Sequence, residues 1–223
     1  MKKIKRVLAM ILILSVSAMF AGCDLPIVGV FDAAGYIQSL LDAQYKGIFD
    51  QYIEFTQDTA ENAEQFYNDN ATGEAMYWAS VYGMDAHMTE DTTARAGELF
   101  KQIYQNAKYD VTLSAKDGTT YLVKVVVTPI VTFAEHIEDF LAVDHEMDER
   151  YANGEFDSMS DEELYEYYMN CYIDVVENTI VPNISYGEPV EFIVQVPRAE
   201  DGSYYYQDSD FSNIDNYVIL YQQ

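Results

Sequence analysis

The chain has 223 residues, of which 49% are hydrophobic and 20 are tyrosines, and its 38 acidic against 12 basic residues give a formal net charge of −26. This length and hydrophobic content suit one folded domain with its own core. The charge excludes a nucleic-acid-binding protein, which needs clustered lysine and arginine to displace counterions. It can simply serve solubility, and it leaves neutral partners, cationic partners and divalent cations open.

The first residues have the pattern of an export signal. Residues 1–6 carry four positive charges, and residues 7–19 are apolar except for two serines. A membrane span needs about 20 apolar residues, so a permanent single-span anchor is the weaker alternative. The stretch Phe20-Ala21-Gly22-Cys23 resembles the lipobox of bacterial lipoprotein signal peptides.

This resemblance implies that residues 1–22 are removed and that the sulfur of Cys23 carries a diacylglyceryl group, whose two acyl chains anchor stably. Ordinary secretion with a chance cysteine is the alternative. We therefore expect an extracytoplasmic protein, anchored to the outer face of the cytoplasmic membrane of a bacterium. Residues 23–31 would form a tether and residues 32–223 a single domain. Residues 23–223 hold eight basic and 38 acidic residues, a formal charge of −30.

The first part of the domain has helical periodicity. Asp32 predicts a helix N-cap. Apolar residues at helical spacing then predict helices over about 33–54, 56–86 and 90–107, with a possible break at 70–73.

The period changes after these helices. Alternation over 109–113, the turn Asp117-Gly118 and β-branched residues over 121–128 predict a β-hairpin. Helices are predicted at about 132–151 and 160–179, and Ser160 to Glu163 has the pattern of a capping box. The remaining pattern predicts strands at 189–196, 204–207 and 217–221.

The order of elements predicts an α+β fold: N-terminal helices, a β-hairpin, two further helices and C-terminal strands, with a mostly antiparallel sheet packed on helices. Two Asp-Gly turns, at 117–118 and 201–202, give the halves 33–130 and 131–223 a faint likeness. An internal duplication would explain this likeness. Asp-Gly turns are common, however, and coincidence is the favoured interpretation.

Three stretches of the first half, 40–47, 108–111 and 125–130, resemble an uncharacterised lipoprotein family of low-GC Gram-positive bacteria. The resemblance covers about residues 33–135 and rests on framework residues. The family has no assigned activity, so the resemblance implies localisation and fold but no reaction.

Metal-ligating residues cluster in the predicted helix at 132–151. The run His145-Glu146-Met147-Asp148-Glu149 is similar to the His-Glu-x-x-His helix of zinc proteases, but Glu149 replaces the second histidine. An ordinary charged helix face is the favoured interpretation. Asp144, Glu146, Asp148 and Glu149 are weak calcium candidates, because calcium takes six to eight oxygen ligands. The alternative is a solvated acidic face.

Tyr204, Tyr205 and Tyr206 are weak candidates for ligand binding, because exposed aromatic rings stack on sugars or anchor peptides. Alternation along a strand would bury at least one side of this run, and simple packing is the favoured alternative. Cys171, the one thiol besides Cys23, has no basic neighbour in sequence and is expected to be inert.

No catalytic signature is present, so a binding or interaction module is expected rather than an enzyme. No cofactor is expected apart from possible calcium. The ligand of this module would be an envelope glycan, a peptide or another surface protein. The membrane would be a further partner, through the lipid on Cys23. A cell-envelope hydrolase that uses a carboxylate pair is the alternative. With 38 acids in the chain, sequence alone does not single out such a pair.

Overall fold

A three-stranded antiparallel sheet forms one layer of the molecule in the computed structural model, which describes residues 31–222. Strand β1 is Lys108–Asp117, β2 is Thr120–Thr128 and β3 is Val190–Val196, in the order β1-β2-β3. The predicted hairpin is confirmed: Lys108 pairs with Thr128, and the turn contains Gly118 at a φ of 57°. Glycine suits this position because it adopts a positive φ without steric cost.

One face of the sheet packs on the helices. Along the central strand β2, Tyr121, Val123, Val125 and Val127 are buried, whereas the residues between them are partly exposed. Because side chains alternate between the faces of a strand, these four residues mark the face that carries the core. The opposite face is open to solvent.

The first predicted helix is wrong in its extent. Helix α1 is Ala33–Leu41, and after a π-helical turn at Asp42–Lys46 the chain reaches Gly47 at a φ of 64°; helix α2 is Asp50–Thr56. The left-handed conformation of Gly47 ends the first helix, as glycine commonly does. The predicted N-cap is confirmed, since Asp32 Oδ1 accepts a hydrogen bond of 2.8 Å from the Gly35 N–H.

The predicted break at 70–73 does not occur. Helix α3 runs unbroken over Ala60–Val81 and packs against α4, which is Glu90–Tyr104. Gly73 lies inside this helix, where a glycine costs about 1 kcal/mol of stability. Burial of Ala71, Ala75 and Trp78 on the core face of α3 offsets this cost.

Three further helices follow along the chain. Helix α5 is Thr132–Glu135, α6 is Ile137–Ala152 and α7 is Asp161–Val175, which a π-helical turn extends over Val176–Ile180. The predicted capping box of α7 is confirmed in both directions at Ser160 and Glu163. The fully buried Trp78 ring lies at the centre of this layer, among the rings of Tyr82, Phe100, Phe140 and Tyr172.

The C-terminal part differs from the prediction. The predicted strand at 189–196 forms as β3, but within residues 31–222 the predicted strands at 204–207 and 217–221 do not form, and Asp208–Val218 is a helix, α8. Phe211, Ile214 and Val218 are buried at helical spacing, and burial of this stripe on the sheet outweighs the local strand pattern. The α+β prediction is confirmed. Within residues 31–222, no helix is long and apolar enough to cross a membrane.

Candidate functional site

Two carboxylates that are far apart in sequence meet where α3 and α8 approach each other. Glu74 lies on α3 beside the buried Ala75, and Asp215 lies on α8 beside the buried Ile214. Both side chains sit at the border of the core, half-buried rather than free in solvent. Burial of the neighbouring apolar residues therefore fixes the positions of the two acids.

Buried tyrosines hold both carboxylates. The hydroxyl of Tyr45 donates to Asp215 Oδ1, which also accepts a hydrogen bond of 2.6 Å from Gln44 Nε2. The hydroxyl of Tyr221 donates to Glu74 Oε1 at 2.7 Å, and Tyr104 is a second hydrogen-bond partner of Glu74. We call Tyr45, Tyr104 and Tyr221 the tyrosine network.

The tyrosine network supplies permanent donors. Burial, and next to it the negative charge of Asp215 or Glu74, raises the pKa of all three hydroxyls well above the usual value of tyrosine. The hydroxyls therefore stay protonated at physiological pH and donate to the carboxylates. One oxygen of each carboxyl group accepts such a hydrogen bond.

The two acids line a surface pocket with a volume of about 340 Å³, within the usual range of ligand sites. We call it the acidic pocket. It is lined by Glu74, Tyr77, Ser80, Val81, Asp215, Asn216, Ile219, Leu220, Tyr221 and Gln222. The 41% exposed ring of Tyr77 forms part of its wall. Acidic oxygens beside an aromatic wall suit a ligand with N–H donors and a positive charge.

The predicted calcium residues lie on α6, away from this pocket. Asp144 accepts hydrogen bonds from Tyr168 and, at 2.6 Å, from Tyr172. Glu146 and Glu149 approach basic side chains of their own helix, at 3.5 and 3.6 Å. Over residues 31–222, no three His, Cys, Asp or Glu side chains are grouped as a metal site. Calcium binding at these residues stays a prediction.

The three candidate tyrosines have different surroundings. The Tyr204 ring stacks on Phe31 with 4.1 Å between centroids, and the Tyr206 ring packs on Phe211 at 4.4 Å. The ring of Tyr205 is 46% exposed. Two of the three therefore pack on the domain, and Tyr205 offers the exposed ring.

Cys171, His87 and His145 lie in separate surroundings. Burial raises the pKa of the Cys171 thiol, which disfavours the reactive thiolate. His145 is exposed on α6, and His87 stacks on Tyr165 with 3.8 Å between ring centroids. The second pocket, of about 240 Å³, is lined by His87 and by a single acid, Glu162. Cys23 and the predicted lipobox lie outside the described residues.

Sequence reasoning missed the acidic pocket. Glu74 and Asp215 belong to no motif, and they are two of 38 acids. A helix at 208–218 would have placed Asp215 beside the buried stripe, but that segment reads partly as a strand. The high tyrosine content is the one sequence signal of such a site, because buried tyrosine hydroxyls need hydrogen-bond partners.

No protein-family model matches the chain, and no curated protein matches it. Among solved structures, the chain is similar to the crystal structure of ycdA, a candidate lipoprotein of Bacillus subtilis, with a TM-score of 0.59 and 12% sequence identity. The match covers 85% of this chain and 56% of ycdA, so this chain spans little more than half of that neighbour. At this identity the match shows a shared fold.

Proposed function

We propose that the protein is a lipid-anchored, extracytoplasmic binding module that holds a cationic ligand in the acidic pocket. The observation that carries the proposal is the meeting of Glu74 and Asp215 in one pocket, each held by buried tyrosine hydroxyls. A ligand ammonium or guanidinium group would bind at these oxygens. An amine-bearing peptide of the cell envelope has this chemistry.

The charge of the whole domain supports a cationic ligand. A formal charge of −30 over residues 23–223 raises the local concentration of cations and repels polyanions. The pocket concentrates this effect, because half-buried charges are less screened by salt than exposed charges. Its aromatic wall at Tyr77 gives a bound cation a second favourable contact.

The pocket is tested by thermal unfolding in the presence of a lysine-containing peptide, with an acidic peptide of the same length as the control ligand. A ligand at 100 times its Kd stabilises the fold by about 2.7 kcal/mol, which raises the Tm by about 5–10 °C. We expect this shift for the native chain and not for Glu74→Gln or Asp215→Asn.

The matched control is Asp148→Asn, which removes one exposed carboxylate from α6 and leaves the acidic pocket intact. We expect this variant to keep the ligand-induced shift. An equal loss in all three variants would mean that the peptide responds to the overall charge, and the pocket proposal would fail.

The lipobox Phe20-Ala21-Gly22-Cys23 supports anchoring through Cys23. The shared fold with ycdA, itself described as a candidate lipoprotein, supports it further. Cells that express the full chain should incorporate a labelled fatty acid into the protein. Cys23→Ala should abolish the label and Cys171→Ala should retain it; label in both variants would contradict anchoring at Cys23.

A second candidate function is a cell-envelope hydrolase, because two carboxyl groups, those of Glu74 and Asp215, line the acidic pocket. A glycoside hydrolase requires one of its two carboxyl groups to carry a proton. Here tyrosine hydroxyls donate to one oxygen of each carboxyl group, a geometry that also suits two groups holding a ligand cation. Release of soluble fragments from peptidoglycan by the native chain, abolished in Glu74→Gln, would favour the hydrolase instead.

A further inference from the structure

The chain enters the domain at one end of the sheet, where Phe31 packs into an aromatic cluster. Its ring stacks on Tyr204 and lies 5.7 Å from Tyr36, 6.1 Å from Phe55 and 5.9 Å from Tyr121, between centroids. Phe31 is therefore part of the folded body, and it marks the point at which the chain joins the domain. That place adjoins the turn of the β1–β2 hairpin.

The hairpin turn, at 116–120, lies beside the segment 197–205, because Tyr121 pairs with Val196 on the neighbouring strand. We call Phe31 and these two segments the anchor end. The acidic pocket lies at the other end of the sheet. There Ile130, just beyond β2, bridges Ile219 of the pocket wall. Ile130 lies nine positions after Tyr121, and nine steps of extended chain span about 30 Å.

The tether is short compared with the domain. Phe31 lies eight positions after Cys23, and eight steps of fully extended chain span at most about 28 Å. A lipid on Cys23 would therefore keep the anchor end within about 28 Å of the membrane. The acidic pocket lies at the opposite end of the sheet, about 30 Å from the anchor end.

The anchor end carries basic side chains without an ion-pair partner. Among residues 31–222, five of the eight lysines and arginines form ion pairs with acids. Lys116 instead donates to the Tyr121 hydroxyl at 3.1 Å, and Arg198 Nε donates to the Gly202 carbonyl at 3.1 Å. Both side chains are exposed.

Acids accompany these two cations: Asp117, Glu200 and Asp201 lie in the same segments. The anchor end therefore has a formal charge of −1, whereas residues 23–223 together carry −30. An anionic membrane repels the rest of the domain more strongly than this end. Exposed Tyr205 adds an aromatic side chain of the kind that is enriched, with lysine and arginine, at membrane interfaces.

We propose that the anchor end faces the phospholipid headgroups and that the acidic pocket opens away from the membrane. The proposal rests on the lipid anchor at Cys23. Lys116, Arg198 and Tyr205 contact the headgroups, while the tether holds the domain against its overall repulsion. The pocket is thereby presented to ligands of the cell envelope rather than to the bilayer.

The test uses the full chain, produced in a bacterial host that lipidates it and reconstituted in phosphatidylglycerol–phosphatidylethanolamine vesicles. In a Cys171→Ser background, a fluorescent dye is attached at Thr119→Cys or at Glu188→Cys. Both positions are exposed, and they lie at opposite ends of the same sheet. A quencher attached to lipid headgroups should strongly reduce the fluorescence at position 119 and leave that at position 188 nearly unchanged.

Flotation of the protein with the vesicles separates the proposed lipid anchoring from the proposed orientation. A chain that does not float has no anchor, which overturns both the anchoring and the orientation. A chain that floats but is quenched equally at both positions, or more at position 188, overturns the orientation alone.

Charge reversal gives an independent check of the headgroup contact. Lys116→Glu should reduce the quenching at position 119, because it adds repulsion at the anchor end. Lys108→Glu is the matched control, since Lys108 pairs with Thr128 at the opposite end of the sheet. Equal quenching in the two variants would overturn the contact between Lys116 and the headgroups.

Discussion

Replacing Tyr221 with phenylalanine removes one hydroxyl from the tyrosine network and keeps the ring. The ring still packs on Phe133, 4.9 Å away between centroids, and beside Tyr77 at 5.8 Å. The hydroxyl of the buried Tyr221 donates to Glu74 at 2.7 Å. The substitution therefore tests one charge-assisted hydrogen bond without opening a cavity in the core.

A hydrogen bond to a charged group contributes about 1.5–3 kcal/mol to stability. For a domain of this size, a loss of about 2 kcal/mol lowers the Tm by about 4–8 °C. Calorimetry and urea unfolding of Tyr221→Phe measure the loss, with Tyr205→Phe as an exposed control that should stay within about 0.5 kcal/mol of the native chain. Equal stability of the two variants would refute the idea that Glu74 is held by this hydroxyl.

Three further predictions concern the stability of the fold. The tyrosines of the network ionise near pH 10 in the unfolded chain but at higher pH in the folded one. The stability that they contribute is therefore complete below about pH 10 and is lost above it, by about 1.4 kcal/mol per tyrosine and pH unit. Equal urea midpoints at about pH 9 and pH 11 would contradict this. Ser160→Ala removes the cap of α7 and should cost about 1 kcal/mol in urea unfolding, whereas Ser158→Ala should cost almost nothing. Gly47→Ala should lower the free energy of unfolding by about 1–2 kcal/mol, because an alanine at a φ of 64° is strained; an unchanged midpoint would count against that conformation.

The parts of the fold that the sequence predicts well depend on local chemistry. The hairpin follows from Asp117-Gly118, where glycine suits the positive φ of the turn. The start of α7 follows from Ser160 and Glu163, whose side chains satisfy backbone donors within one turn. Neither feature needs a distant partner, so nearby residues suffice to predict it.

The parts that the sequence does not predict depend on distant contacts. Asp208–Val218 forms a helix because Phe211, Ile214 and Val218 find a sheet to cover, and this sheet is built from other parts of the chain. The acidic pocket is a stronger case. Nothing beside Glu74 or Asp215 in sequence marks either acid. Their partners come from the π-helical turn after α1, from α4 and from the residues that follow α8.

The most direct test of the binding proposal is photo-crosslinking in living cells, with a photoreactive residue in place of Tyr77 on the pocket wall. The control position is Tyr151 on α6, which is 68% exposed and does not line the acidic pocket. We predict an adduct with an amine-bearing envelope molecule from position 77, absent from position 151 and lost when Asp215→Asn is added. Equal adducts from both positions, or an adduct from position 77 that survives Asp215→Asn, would contradict a cation-binding site in the acidic pocket.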